Sequence, residues 1–320
     1  MIKCNYLFYI KAGSKAGLGH LRRSLAIALH LKKSEKSIYF LVDGDRIPLD
    51  LLKKKGFKAV KYTKASFNLF SPKIAVIDQK GDVSAQIRSL RAKGAKICLI
   101  DNTSKARLLS DIVIFPVSHF KDKLNWKGYK GKKYIGAKYF PLNEEFLKIG
   151  PIKHKSFTIL ITMGGADPNK LTQKVCNALV KMKECFKALI VIGASFKERD
   201  IPSDKRFLIY RNPKNMAKLM ASSDIAITAF GTTLYELAYM GIPAIIISNY
   251  KQEAGEILAF GKLGTSLILG HYMNITAEKI IMAVKELLNN KNRLLKLSES
   301  GKKLVDCKGA VRILKAVRNI

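Results

Sequence analysis

The chain has 320 residues, a length that suits two domains at roughly 100–200 residues each. Hydrophobic residues make up 48% and charged residues 26%, which excludes intrinsic disorder and low-complexity classes. Lys and Arg number 58 against 24 Asp and Glu, a formal net charge of +34, and such an excess attracts polyanions and acidic membrane surfaces at long range.

The five cysteines, Cys4, Cys98, Cys176, Cys185 and Cys307, are scattered without any C-x-x-C spacing. Neither a disulfide framework nor a zinc site is expected from them. Apolar runs such as 242–247 stop far short of the roughly 18–20 residues of a transmembrane helix. Residues 6–10, flanked by Lys3 and Lys11, are too brief for a signal-peptide core. A cytoplasmic protein is expected.

In chain order, residues 6–10 predict a strand, 21–33 a helix, 37–42 a strand, 48–55 a helix and 74–77 a buried strand. A helix over 84–93 and strands over 96–100 and 112–115 follow. Short β-branched runs joined by helical crossovers indicate a parallel sheet covered on both faces. Residues 117–150 interrupt the pattern: they are basic and aromatic, and Lys148-Ile149-Gly150-Pro151 reads as a linker. Alternation then restarts, with strands at 157–162, 188–192, 207–210, 225–228 and 244–247. Helices are expected at 171–182, 215–221, 232–239, 277–288 and along the tail from 293 to 317. The fold expected is α/β, with two doubly wound Rossmann-like domains at 1–150 and 151–320 and the last helix packing back on the first. A ligand is expected in a cleft between them, beyond the carboxyl ends of the strands.

Three glycine turns carry the chemistry. Gly17-Leu18-Gly19-His20-Leu21-Arg22-Arg23 follows the first strand and opens a helix. Its glycines permit a tight turn and close backbone approach, and the helix amino terminus favours an anion. Arg23 stands where the dinucleotide fingerprint has its third glycine, and no P-loop lysine is present, so neither NAD nor a P-loop nucleotide fits. His20 is placed to act as a general base; the bland reading is a helix cap. The second turn is Met163-Gly164-Gly165-Ala166-Asp167-Pro168, and the third is Phe230-Gly231-Thr232-Thr233 ahead of Glu236. Each can aim backbone amides at phosphate oxygens, and the Glu236 carboxylate can accept two ribose hydroxyl protons. Together the turns favour a nucleotide diphosphate.

Asp78 and Asp101 end two strands of the first half. Each is suited to orienting a base or a sugar hydroxyl, or to capping a turn, and Asp101-Asn102-Thr103 looks like a turn. His30, His119, His154 and His271 share no metal-ligand spacing, and Asp43-Gly44-Asp45 reads as a turn rather than a metal clamp. No metal and no cofactor are expected. Lys121, Lys123, Lys127, Lys130, Lys132, Lys133 and Lys138 interleave with Trp126, Tyr129 and Tyr134, a pattern that suits peripheral contact with an acidic membrane. No helix-turn-helix, RNA-recognition or zinc-finger pattern accompanies it, so no nucleic-acid partner is expected. The number of subunits is left open.

These motifs in this order resemble the GT-B architecture of nucleotide-sugar enzymes. More narrowly, the chain resembles the UDP-sugar hydrolases of pseudaminic acid biosynthesis and the spore-coat polysaccharide biosynthesis proteins, which are related to glycosyltransferase family 28. Gly136-Ala137-Lys138-Tyr139 and Asn143-Glu144-Glu145-Phe146 add to the resemblance, which covers nearly the whole chain. It implies hydrolysis of the anomeric C–O bond of a UDP-activated amino or deoxy sugar, for surface glycan synthesis. It puts His20 and Asp78 in catalysis and Gly17, Gly19 and Arg23 beside the substrate. UDP is implied to lie near Gly164, Gly165, Ala166, Asn212, Met216, Phe230, Gly231, Thr232, Thr233 and Glu236, with Gln252 near the sugar. The chain departs from the family at Asp78-Gln79-Lys80, where members continue with His and Tyr, and at Lys251-Gln252, where many have Asn-Gln. The alternatives are a GT-B glycosyltransferase with a membrane-associated or glycan acceptor, and a non-catalytic sugar-nucleotide-binding protein.

Overall fold

The computed structural model describes residues 1–13, 16–116, 124–150, 152, 155–165, 167–193 and 201–320. The chain divides into two compact units, Met1–Asn143 with Cys307–Ile320, and Glu144–Asp306.

In the first unit β1 (Ile2–Lys11), β2 (Ile38–Asp43), β3 (Lys58–Lys61), β4 (Phe70–Asp78), β5 (Lys96–Ile100), β6 (Ile112–Phe115) and β7 (Lys132–Ile135) form one sheet in the order β3-β2-β1-β4-β5-β6-β7. Every pairing is parallel. The helices are α1 (Gly19–Leu31), α2 (Arg46–Lys54), α3 (Lys64–Asn68) and α4 (Ser84–Ala92), with a terminal helix described below. Successive side chains of a strand point to opposite faces, and here both faces are covered. Tyr6, Phe8 and Ile10 join a core with α1 residues Leu21, Ile27 and Leu31. Leu7 and Tyr9 join another with α4 residues Ile87 and Leu90. That is why residues 6–10 of β1 read as an unbroken apolar run.

The second unit repeats the plan. It opens with α5 (Glu144–Leu147) and continues through β8 (Thr158–Thr162), α6 (Leu171–Val180), β9 (Lys187–Ile192), β10 (Phe207–Arg211), α7 (Met216–Ala221), β11 (Ile225–Ala229), α8 (Thr233–Met240), β12 (Ala244–Ser248), α9 (Ala254–Gly261), β13 (Ser266–His271), α10 (Ala277–Asn289) and α11 (Lys291–Leu304). The sheet order is β10-β9-β8-β11-β12-β13, again all parallel. Strand order reverses between β1 and β4 in one unit and between β8 and β11 in the other. In doubly wound sheets the carboxyl ends flanking such a reversal frame the ligand crevice.

Several elements differ from the sequence expectation. Strands β3, β7 and β13 and helices α3 and α9 occupy stretches where none was expected. The basic segment is therefore not all loop: Lys132–Ile135 pairs with β6 as an edge strand. The segment read as a linker falls just inside the second unit, because α5 lies against α7 and buries Phe146. The tail is two helices rather than one. Asn290 caps α11 by accepting the Arg293 N–H at 2.9 Å, and the helix stops before α12 (Gly309–Arg318) begins.

Helix α12 belongs to the first unit, where it packs on α1 with Ile313 and Val317 fully buried. Its first residue lies against backbone: a Cβ on Gly309 would sit 2.0 Å from the Phe140 carbonyl oxygen. Gly309→Ala should therefore destabilise the protein by about 1–3 kcal/mol, the range for overpacking where neighbours cannot shift freely. Urea unfolding checks this, and an unchanged midpoint would contradict the close approach. Among the described residues no helix is long and apolar enough to cross a membrane.

Candidate active site

In the first unit the chain leaves β1 through Ala12 and Gly13, and the Gly13 N–H donates to the Gly17 carbonyl at 3.1 Å. Gly17 has φ of +76°, a left-handed conformation that glycine adopts without a Cβ clash. Helix α1 then starts with no side-chain cap and no acid in its first turn. His20, Arg23 and Ser24 are spaced i, i+3 and i+4, so they share one face of α1. That face meets Asp78, the last residue of β4.

The contacts are dense. Asp78 is completely buried. Its Oδ2 accepts from Arg23 Nε at 2.9 Å and Ser24 Oγ at 3.2 Å. Its Oδ1 accepts from Arg23 Nη2 at 2.5 Å and lies 2.7 Å from His20 Nδ1. Arg23 Nη1 donates to Asp101 Oδ2 at 3.0 Å. Burial alone would raise the Asp78 pKa, but the Arg23 guanidinium and His20 beside it hold the carboxyl well below the usual carboxylate range. Burial likewise opposes the charge on Arg23, yet Asp78 and Asp101 raise its pKa above the ordinary value. An ionised carboxylate only accepts hydrogen bonds, so whenever the ring is neutral the proton between the two sits on Nδ1. Nε2 then carries the free lone pair, on a side chain 16% exposed. An orienting carboxylate fixes a general base in this way.

Arg23 has a different place from that expected of a substrate-binding residue. Its side chain is 4% exposed, and its guanidinium is turned inward between two carboxylates. Asp101 is more than the turn its sequence suggests. Its φ is +52°, its amide donates to the Ile114 carbonyl at 2.9 Å, and its side chain faces Arg23. Neighbouring Asn102 is buried and donates to the carbonyls of Gln79 at 2.7 Å and Gly81 at 2.8 Å, tying down the loop after β4. Ser24 and Asn102 were not singled out by sequence. A hydroxyl one residue beyond the arginine was the available signal.

The crevice of the second unit is built from backbone. After β8, Met163 is buried and Gly164 takes φ of +80°. A Cβ on Gly165 would meet no described atom within 4 Å, whereas a Cβ on Gly193 would strike the Gly165 carbonyl oxygen at 2.0 Å. Ala166 lies outside the described residues. Asp167 heads α6, accepting from the Leu171 and Thr172 N–H groups at 2.8 and 2.9 Å. Across the reversal, Thr228 Oγ1 donates to the Thr162 carbonyl at 2.7 Å and joins the ends of β8 and β11. Gly231, Thr232 and Thr233 are partly exposed, and a Cβ on Gly231 meets no described atom within 4 Å. Glu236 is buried in the first turn of α8, and the Phe230 ring stands edge-on to Phe260 at 6.5 Å.

The structure thus gathers Gly17, Gly19, His20, Arg23 and Asp78 at one reversal, and Gly164, Gly165, Gly231, Thr232, Thr233 and Glu236 at the other. Asn212 and Met216 stand past β10, two strands from β8. Asn212 is exposed with φ of +45°, and Met216 is buried. Gln252 falls in a short 3-10 turn after β12. That turn is fixed by Glu253, whose Oε2 accepts from Ser248 Oγ at 3.0 Å and the Asn249 N–H at 3.2 Å. In the basic aromatic segment, Lys121 and Lys123 lie outside the described residues, as do His119 and His154. Trp126 packs edge-on against Phe115 at 6.2 Å, with Arg107 at 5.3 Å and Lys133 at 5.0 Å over its ring. Among the described residues no cluster of three His, Cys, Asp or Glu side chains is arranged to ligate a metal.

Two parallel-sheet Rossmann-like units with such crevices define a GT-B fold. Residues 136–311 match the glycosyltransferase family 28 C-terminal domain, and the chain belongs to that family, a sugar-nucleotide-related group. The chain is 25% identical over 197 residues to the spore coat polysaccharide biosynthesis protein SpsG of Bacillus subtilis, covering 58% of each. It is 24% identical over 368 residues to the UDP-N-acetylglucosamine–N-acetylmuramyl-(pentapeptide) pyrophosphoryl-undecaprenol N-acetylglucosamine transferase of Thermoanaerobacter sp., covering 98% of this chain and 99% of that one. It is 29% identical over 131 residues to the pseudaminic acid cytidylyltransferase and UDP-2,4-diacetamido-2,4,6-trideoxy-beta-L-altropyranose hydrolase of Helicobacter pylori, covering 41% and 24%. The chain spans about half the length, 54% and 58%, of two relatives that it matches. Acinetobacter baumannii MurG has the same fold, with TM-score 0.69, 14% identity and coverage of 99% and 100%. So does the UDP-GlcNAc 2-epimerase of Neisseria meningitidis bound to UDP-GlcNAc, with TM-score 0.68, 14% identity and full coverage of both chains.

The depressed Asp78 pKa has a testable sign. Its contribution to stability is complete above about pH 5 and is lost as pH falls below about 4 towards the lowered folded value. Asp78→Asn should destabilise the protein at pH 7 by about 3–5 kcal/mol, because it leaves a buried guanidinium short of its counter-charge. The gap between wild type and variant should narrow at pH 3 in urea titrations. A gap that stays constant with pH would show that Asp78 is not ionised in the fold.

Proposed function

We propose that the chain is a UDP-sugar hydrolase that cleaves the anomeric C–O bond of a UDP-activated amino or deoxy sugar. The sugar is of the 2,4-diacetamido-2,4,6-trideoxy-altropyranose type, and the products are UDP and free sugar for surface glycan synthesis. The observation that carries this reading is the Asp78–His20 pair, which leaves Nε2 as the proton acceptor. Nε2 takes a proton from water as the water oxygen bonds to C1. The C1–O bond breaks, and its electrons leave with the diphosphate. General-base assistance of this kind contributes roughly 10²–10⁴-fold. Amides of the turns at Gly164–Gly165 and Gly231–Thr233, with the two threonine hydroxyls, receive the diphosphate charge, as preorganised donors do. No step is routed through a metal. Glu236 accepts the ribose hydroxyl protons. The name of the Helicobacter relative and a structural neighbour bound to UDP-GlcNAc support a UDP-sugar as substrate, and the name of the Bacillus relative supports a place in polysaccharide biosynthesis.

A second reading has its own support. The Thermoanaerobacter transferase aligns over 99% of its length, which favours a glycosyl acceptor in place of water at the same base. A basic surface that docks on an acidic membrane would then serve a lipid-linked acceptor. A panel of UDP-sugars with and without acceptors separates the two. UDP release without acceptor supports hydrolysis, release that requires acceptor supports transfer, and tight binding without turnover rejects both.

His20→Ala should abolish turnover while leaving UDP affinity within about threefold, since a base acts mainly on the transition state. A variant that still turns over normally would remove His20 from the chemistry. Glu236→Ala should weaken UDP binding by about 1–3 kcal/mol through lost charge-assisted hydrogen bonds, as read by calorimetry. Gly231→Ala gives a cleaner test, because its Cβ enters space free of described atoms. Stability should stay within about 0.5 kcal/mol, while UDP affinity falls about tenfold or more. Unchanged affinity would mean that no phosphate approaches this turn.

A further inference from the structure

Asp101 occupies a place that a simple turn does not need. It follows β5, the strand next to β4, and a non-glycine residue in the left-handed region is uncommon. Its backbone is pinned on both sides, by its amide to Ile114 and by Asn102 to the β4 loop. This strained backbone delivers one carboxylate oxygen to Arg23 Nη1.

The effect is on the plane of the guanidinium. Arg23 grips Asp78 as a fork through Nε and Nη2, and a planar fork held along one edge can still rock about that edge. Asp101 holds the remaining nitrogen and stops the rocking. The direction of rocking matters, because Arg23 Nη2 is already 3.3 Å from His20 Nδ1. If Arg23 swung towards the ring, its N–H would donate to Nδ1, and the neutral imidazole would carry its proton on Nε2. The lone pair needed for base catalysis would then be gone. In the structure the 2.7 Å contact of Nδ1 with Asp78 wins over the 3.3 Å contact with Arg23.

We propose that Asp101 is a positioning residue that sets the His20 tautomer by restraining Arg23. The proposal rests on the reading of His20 as the base and adds a residue two strands from β1 that acts without touching substrate.

The test uses the full-length protein without ligand, labelled with ¹⁵N in histidine, at about pH 9, above the ordinary imidazole range. The wild-type His20 ring should show a protonated Nδ1 and a bare Nε2. Asp101→Asn should shift a measurable fraction to the opposite tautomer. It should lower kcat about tenfold, with KM within twofold, on the fastest substrate of the UDP-sugar panel. Arg23→Lys cannot grip two carboxylates as a fork and should do at least as much. The double variant should be no slower than Arg23→Lys alone, because Asp101 acts through that side chain. If buried Arg23→Lys does not fold, Asp101→Asn still decides the matter, since the Asp101 side chain is 22% exposed. An unchanged tautomer in Asp101→Asn overturns the proposal, even when His20→Ala is inactive. Normal turnover by His20→Ala overturns the base reading instead, and leaves the tautomer comparison standing.

Discussion

The first unit is organised around one ionised carboxylate with no access to water. Taking Asp78 and Arg23 out of solvent is expensive, and only close pairing with further hydrogen bonds offsets it. Here the offset comes from a two-nitrogen fork, a serine hydroxyl, an imidazole and a second aspartate. A buried pair of this kind adds little net stability over a well-packed apolar replacement. Its effect is geometric. His20, Arg23 and Ser24 come from α1 and the two aspartates from the ends of β4 and β5, so the network fixes the amino end of α1 against the carboxyl ends of those strands. The framework around the β1/β4 reversal is therefore set by charge rather than by shape.

The two units solve related problems with different materials. Both are parallel sheets with one reversal of strand order, and both place glycine turns there. In the first unit the turn presents a side chain, and buried charge controls which imidazole nitrogen is bare. In the second unit the turns offer main chain, and the space that Cβ atoms would fill at Gly165 and Gly231 is free of described atoms. A diphosphate needs many donors at short range, which backbone amides supply without side-chain entropy loss. Proton transfer needs one group in a defined protonation pattern. On the proposed function, the separation of side-chain chemistry from main-chain chemistry follows from those two demands.

Much of this was legible in the sequence, and the failures share causes. Strands β5 and β6 match their expected bounds because both faces are buried and the apolar run is continuous. The three strands without a sequence signal, β3, β7 and β13, are all sheet edges. An edge is solvated along one side and tolerates lysine, so Lys58-Ala59-Val60-Lys61 and Lys132-Lys133-Tyr134-Ile135 read as loop. The glycine turns and His20 were visible because glycine and histidine announce local constraints. The direction of the Arg23 guanidinium was not, since order along the chain does not say whether a side chain faces ligand or core. Asp101 was obscured by its own backbone: an Asp-Asn-Thr sequence suits a turn, and the turn conformation is what aims the carboxylate inward.

The charge excess also acquires a physical division. Of the 58 basic residues only 12 are arginine, yet among the described residues three arginines hold buried or half-buried polar joints. Arg23 joins α1 to two strands. Arg107 donates to the carbonyls of Thr103, Ser104 and Asn125. Arg206 donates to the Leu179 and Val180 carbonyls that end α6, and lies 4.4 Å over the Phe186 ring. A guanidinium is weakly hydrated and offers five donors in a fixed plane, whereas an ammonium is a strongly hydrated point charge. Among the described residues most lysines are exposed, where their charge draws anions inward at low salt. On the proposed reading, a UDP-sugar carries its charge on the diphosphate, so such a field would accelerate encounter without choosing among sugars. Selection of the sugar would then come from close contacts, and selection of the reaction from the imidazole held by Asp78.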